Sequence, residues 1–210
     1  MPWEPLPEAE ADVVGLTQAL IRIDSSNYGD SPLTMGEAEA ADYCAAMLRE
    51  AGWEPEVFTT TSSSRAGVYL RVPGTDATAP ALLLHGHIDV VPAIASDWSH
   101  PPFAAEVDEG FIWGRGAVDM KDMCAMILAV VRAWGRTGIR PRREVVVLFL
   151  PDEEAGLRHG SQWLVRNRPD MFERVTEAVG EVGGFSLTVR DDLRLYPIQT
   201  AEKGIRWLRL

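Results

Sequence analysis

Leu82-Leu83-Leu84-His85-Gly86-His87-Ile88-Asp89-Val90-Val91-Pro92 opens on an apolar run and closes on two imidazoles and a carboxylate. Consecutive leucines are apolar on both faces of an extended chain, which fits a strand inside a sheet covered on both sides. The reading places that strand at Ala81 to His85. Other apolar runs end in the same way. Val145 to Leu150 precedes Pro151-Asp152-Glu153-Glu154, Ala178-Val179 precedes Gly180-Glu181-Val182-Gly183-Gly184, and Phe111 to Trp113 precedes Gly114-Arg115-Gly116-Ala117-Val118-Asp119-Met120-Lys121. A sheet built from these strands collects several metal-competent side chains along one edge.

Outward from this centre the chain alternates strands with helices. Val13, Leu16, Leu20 and Ile23 recur at helical spacing and predict a helix over Glu8 to Ile23. Thr34-Met35-Gly36-Glu37 has the form of a capping box opening a helix that runs to Ala51 and stops at Gly52. Further strands are expected at Glu56 to Thr60 and Ala66 to Val72, and helices at Met120 to Trp134 and Ser161 to Arg166. Short strands follow at Ala178 to Val182, Phe185 to Val189 and Leu193 to Ile198. The pattern predicts an α/β fold, a three-layer sandwich whose central sheet is mixed and mainly parallel.

Composition narrows the function. A 46% hydrophobic and 24% charged chain of 210 residues has the balance of a globular protein, not of a disordered or fibrous one. A formal charge of −11 argues against nucleic acid or an anionic membrane as partner, because phosphate-binding surfaces need clustered Lys and Arg. Cys44 and Cys124 both lie in helical patterns and read as buried, reduced thiols. The acidic, proline-rich start at Met1 to Glu10 lacks the basic and apolar pattern of a signal peptide, and no stretch has the length of a membrane span. These readings predict a cytoplasmic protein.

Amide hydrolysis at neutral pH needs a nucleophilic water, an acid that polarises the carbonyl and a base that moves a proton. Paired divalent metals supply the first two and an unligated carboxylate the third. In His87-x-Asp89 the carboxylate is placed to accept the second imidazole N–H and fix the ligating tautomer. His85 shares a strand face with His87, so spacing alone does not choose between them. Asp119 reads equally as a helix N-cap. Glu153-Glu154 suits one ligand beside one free base, and Glu181 sits in a possible turn.

Taken together, Gly86-His87-Ile88-Asp89-Val90-Val91-Pro92, Trp98 with Pro102-Phe103, Gly114 to Lys121, Asp152-Glu153-Glu154-Ala155-Gly156 and Gly180-Glu181 resemble the dinuclear zinc aminoacylase and carboxypeptidase family, metallopeptidase family twenty. Its members include glutamate carboxypeptidase, acetylornithine deacetylase, succinyl-diaminopimelate desuccinylase and aminoacylase. The resemblance covers roughly residues 10 to 205. It implies that His87 rather than His85 ligates, that Asp119 bridges two metals, that Glu181 binds the first and Glu154 the second, and that Glu153 is the general base and acid with Asp89 supporting. It also implies a cis peptide between Asp119 and Met120. The cofactors implied are two divalent ions, zinc with cobalt or manganese as alternatives, and the substrate is a small peptide or N-acyl amino acid. Exopeptidase and deacylase remain open.

In that family a lid or dimerisation domain interrupts the catalytic domain, which then resumes and supplies a further histidine. The resemblance therefore divides this chain into 1–198, the N-terminal part of the catalytic domain, and 199–210, the first strand of a truncated lid through which a full-length form would pair as a homodimer. His100, in a Pro-rich loop, and His159, on an expected helix, are poor substitutes for the missing ligand. The chain alone is expected to be inactive. A second reading is a non-catalytic fragment or pseudoenzyme of the same fold. A nucleotide-binding protein is disfavoured, because no G-x-G-x-x-G or P-loop pattern follows a strand.

Overall fold

The computed structural model of the chain describes residues 6–181 and 186–197. Helix α1 (Pro7–Arg22) buries Leu16, Leu20 and Ile21, and α2 (Ala38–Glu50) buries Ala41, Cys44, Ala45 and Leu48. Strands β1 (Glu56–Thr59), β2 (Ala66–Val72) and β3 (Ala81–His87) follow, then a hairpin of β4 (Glu106–Asp108) and β5 (Phe111–Trp113). Helix α3 (Lys121–Thr137), strand β6 (Val145–Leu150), helix α4 (Ser161–Asn167) and strand β7 (Val175–Val179) complete the main body. A second hairpin joins β8 (Leu187–Arg190) to β9 (Leu193–Leu195).

The five-stranded sheet has the order β1-β2-β6-β3-β7. β3 is parallel to both β6 and β7, whereas β1-β2 and β2-β6 are antiparallel. The sheet is therefore mixed, with its parallel part confined to the three strands that carry the site. All six residues of β6 are buried, as expected of a strand covered on both faces. One face packs Val68, Leu70, Val145, Val147 and Phe149 beneath α1, α2 and α3. The other packs Leu83, Val146, Leu148 and Leu150 against Leu164 of α4 and Met171. These are the three expected layers.

Several local expectations are corrected. The capping box is absent: α2 begins after Glu37 without any side-chain cap. Thr34 Oγ1 instead accepts from the Tyr28 amide and donates to the Gly29 carbonyl, and Glu37 turns inward to Arg65 at 2.6 Å. A buried ion pair across the fold outcompetes the local cap. Asp119 is not the N-cap of α3, a position held by Met120. His159 lies in the turn before α4, not on a helix. β7 starts earlier than expected because Ala81 pairs with Val175 and Leu84 with Val179. Residues 182–185 and 198–210, with the expected strand ends there and the 199–210 lid strand, lie outside the described residues.

Lys121 is fully buried, and its Nζ donates to the carbonyls of Leu20 and Ile23 at 2.9 and 2.7 Å. It thereby adds a donor to the Leu20 carbonyl, which also accepts the Ile23 amide, supplies one to the Ile23 carbonyl, and joins the end of α1 to the start of α3. Burial lowers its pKa to about 8. Gly116, at φ 85°, makes the turn that brings Lys121 inward; a Cβ there would lie 3.0 Å from both Lys121 Cδ and Val90 Cγ1. The Asp119–Met120 peptide is cis.

Candidate metal centre

Parallel pairing sets the site. His87, the last residue of β3, stands opposite Leu150, the last of β6, and the Ile88 amide donates to the Leu150 carbonyl at 3.0 Å. Glu153 and Glu154 follow β6, Glu181 follows β7, and Asp119 arrives from the turn before α3. The groups thus gather beyond the carboxyl ends of parallel strands, where a crevice opens in α/β sheets.

His87 is the fixed point. Its Nδ1 lies 3.0 Å from the backbone carbonyl of Asp89, an oxygen that can only accept, so Nδ1 carries a proton and Nε2 faces the carboxylates. The Asp89 carboxylate itself is farther, at 3.4 Å. This corrects the expectation that the carboxylate is the principal partner of the imidazole: the two-residue spacing brings the carbonyl closer. Nε2 lies 3.0 Å from Asp119, 3.8 Å from Glu181 and 3.9 Å from Glu153. The imidazole is 2% exposed, whereas the side chains of Asp119, Glu153 and Glu181 are 58, 39 and 37% exposed. Solvent therefore reaches the centre from the carboxylate side.

Among the described residues, two groupings place their ligand atoms within 4.8 Å of one another: His87 with Asp119 and Glu154, and His87 with Glu153 and Glu181. The expected ligands all fall in one grouping or the other, but the division differs from the expected one: Glu154 joins Asp119 and His87, while Glu181 joins His87 together with Glu153, the expected base. His85 belongs to neither grouping; its ring lies over Gly180, where an added Cβ would come within 2.3 Å of Nε2. His100 stacks on Trp113 and pairs with Glu106 at 2.7 Å, and His159 pairs with Asp30 at 2.8 Å.

One imidazole and four carboxylates form a nitrogen and oxygen donor set suited to a divalent cation. The electrostatics agree. Burial alone would lower the His87 imidazole, yet the Asp119 hydrogen bond and the nearby Asp89 and Glu181 carboxylates raise it well above its ordinary value. Burial, then the Asp119 charge, pushes Glu154 up to about 7. Burial also raises Glu153 against the pull of His87, while the His87 hydrogen bond lowers Asp119. A surplus of negative charge around one imidazole is the environment a cation relieves.

The sequence reading missed what lies beneath. Asp89 is fully buried, and its two oxygens accept the amides of Glu153 and Glu154 at 3.0 and 3.1 Å and Asn27 Nδ2 at 2.7 Å. Asn27 also donates to Asp152 at 3.0 Å and accepts from Arg65 at 3.0 Å. Nothing local marks Asn27 or Arg65; only the fold brings them to Asp89. The Trp98 to Phe103 motif is also explained: the Arg115 guanidinium lies 4.9 Å over the Trp98 ring, and the Arg115 amide donates to the Pro102 carbonyl at 2.7 Å.

The chain is similar to several known proteins. Over 99 residues the chain is 43% identical to human aminoacylase-1, covering 47% of this chain and 24% of that protein. It is 35% identical over 164 residues to succinyl-diaminopimelate desuccinylase of Maricaulis maris, covering 78% of this chain and 39% of the relative. Human carnosine dipeptidase 1 shares the fold with a TM-score of 0.71 at 20% identity, over 83% of this chain and 39% of that one. The chain spans less than half the length of these relatives. The model of peptidase family M20/M25/M40 matches residues 83–193, over half of the sequence, and the chain belongs to that family.

Proposed function

We propose that this chain supplies the metal-binding and proton-transfer groups of a hydrolase that cleaves the amide bond of a small peptide or an N-acyl amino acid. The observation that carries the reading is the convergence of four carboxylates, from three separate stretches of chain, on His87 Nε2. In this reading His87, Asp119 and Glu181 hold one ion and Asp119 with Glu154 a second. Two divalent ions, zinc with cobalt or manganese fitting the same donors, supply polarisation of the scissile carbonyl and acidification of a water when bound. Glu153 takes the proton of the attacking water and returns it to the leaving amine; burial raises its carboxyl, which suits a group that must hold a proton in mid-reaction. Asp89 fixes the His87 tautomer through its carbonyl and sets the height of Glu153 and Glu154 through their amides. The names of the relatives, an aminoacylase, a desuccinylase and a dipeptidase, support an amide substrate. The reading also keeps residues 1–198 as the catalytic part, 199–210 as the start of a lid domain that pairs two copies, and the cytoplasm as the location.

Metal-linked stability tests the reading. Zn²⁺ or Co²⁺ at a hundred times its dissociation constant should stabilise the metal-free chain by about 2.7 kcal/mol, and His87→Ala should abolish the effect. Glu154→Gln should lose part of the bound metal. Glu153→Gln should keep it and, in a full-length form, slow turnover of an N-acyl amino acid or dipeptide on the order of a hundredfold. No stabilisation by either ion, or metal loss in Glu153→Gln with retention in Glu154→Gln, would refute the assignment.

A further inference from the structure

Five buried polar side chains form one continuous assembly that touches the proposed centre only through its backbone and through Asp89. At its far end Glu37 is fully buried and accepts from Arg65 Nη1 at 2.6 Å. Arg65 Nη2 serves three groups: the Asn27 side-chain oxygen at 3.0 Å, the Gly29 carbonyl at 3.1 Å and the Asp152 carboxylate at 3.3 Å. Asn27 uses its whole hydrogen-bonding capacity. Its oxygen accepts from Arg65 and from the Gly29 amide at 2.9 Å, and its nitrogen donates to Asp89 at 2.7 Å and Asp152 at 3.0 Å. With both ends of the amide occupied by groups of fixed polarity, Asn27 cannot flip. Asp152, at φ 60°, also accepts the His159 amide at 2.8 Å and so ties down both ends of the turn that carries Glu153 and Glu154.

We propose that Arg65 is a positioning residue for the centre: seated on Glu37, it locks Asn27 and Asp152, and through them the Asp89 carboxylate from which the Glu153 and Glu154 amides hang. Arg65 lies on the loop between β1 and β2, and its guanidinium is a cation, not a metal ligand. It pairs with two buried carboxylates, Glu37 at 2.6 Å and Asp152 at 3.3 Å, and reaches a third, Asp89, through the Asn27 amide. A planar fork with several N–H groups can hold Glu37 on one nitrogen and Asn27, Gly29 and Asp152 on the other; a single ammonium cannot reach all four. Without that fork the Asn27 oxygen loses its charged donor, the amide gains freedom to rotate, and Asp89 loses the partner that orients it toward the two amides. The positions of Glu153 and Glu154 then depend on the loop alone.

This inference deepens the reading of the His87 centre, and its test separates the two. In the metal-free 210-residue chain, hydrogen exchange is followed at the amides of Glu153 and Glu154 and at those of Val146 and Leu148 in β6. Arg65→Lys, which keeps the charge, and Asn27→Ala, which leaves the Arg65–Glu37 pair in place, should each speed exchange at Glu153 and Glu154 about tenfold or more while leaving β6 nearly unchanged. In parallel, Co²⁺ titrations read by visible absorbance should show affinity falling about 10- to 100-fold with altered bands. Unchanged exchange at Glu153 and Glu154 in both variants, or an equal rise there and in β6, would overturn the proposal, the second result marking Arg65 as a support of global stability only. Should the unsubstituted chain take up no Co²⁺, the metal reading fails, while the exchange pattern still decides the role of Arg65.

Discussion

Between pH 4.5 and about 8 the protein should lose roughly 3 kcal/mol of stability relative to its Glu37→Gln variant. Glu37 is wholly buried, and burial, reinforced by the charges of Asp89 and Asp152, raises its pKa from 4.5 to about 7. Arg65 pulls the other way at 2.6 Å, but its guanidinium is shared with Asn27, Gly29 and Asp152, and among the described residues Glu37 Oε2 has no hydrogen-bond partner. Desolvation of that second oxygen therefore outweighs the ion pair. The sign follows from linkage. The unfolded chain gives up the Glu37 proton near 4.5 and the folded chain near 7, so the contribution is complete below 4.5 and is lost as pH rises through 7. Glutamine does not titrate, and other groups cancel to first order in the difference between the two proteins. Urea unfolding of both at a series of pH values measures that difference. A gap that stays constant within about 0.5 kcal/mol, or changes in the opposite sense, would refute the argument and show Arg65 holding Glu37 ionised throughout.

Two further outcomes check the packing. Gly67→Ala places a Cβ 2.4 Å from the Phe149 carbonyl oxygen and 2.5 Å from the Phe58 ring; since β2 is pinned to β6 by pairing at Val68 and Phe149, the backbone cannot yield, and the melting temperature should fall by the equivalent of about 1–3 kcal/mol, an unchanged midpoint being the contrary result. Cys44 and Cys124 are both fully buried, with burial pushing Cys124 up to about 12 and Cys44 upward as well, so a thiol-reactive dye should label neither in the native protein and both after unfolding. Rapid labelling of the native chain would contradict the packing.

What could be read from the sequence was what is local. Val145 to Leu150 is uninterrupted and matches β6 residue for residue, and Ala66 to Val72 matches β2. His87, Asp119, Glu153, Glu154 and Glu181 stand out as ligand-competent groups following apolar runs, but spacing left His85 open beside His87 and an N-cap open for Asp119, and the family resemblance made the choice. What stayed hidden depends on distant partners. Thr34 and Glu37 carry a sound local capping pattern, yet Glu37 is claimed by Arg65, 28 residues away. Asn27 meets Asp89 across 62 residues and Asp152 across 125, separations at which periodicity and turn chemistry say nothing. β4 was missed because Glu106-Val107-Asp108 has only β5 to define it.

The same contrast explains why the centre needs the buried assembly beneath it. Register alone brings β3, β6 and β7 to a common edge: His87 faces Leu150 and Leu84 faces Val179, and a slip of one residue would turn every side chain to the opposite face of the sheet. Register fixes where His87 stands because His87 belongs to its strand. It does not fix Glu153 and Glu154, which lie three and four residues past the end of β6, beyond the last ladder bond. For those two the constraint passes to Asp89, which accepts both of their amides. Asp89 is itself two residues past the end of β3 and is oriented in turn by Asn27 and Arg65. Geometry set by the sheet is thus extended into loops by buried hydrogen bonds, and a substitution at Arg65 should disturb the carboxylates while leaving the imidazole in place.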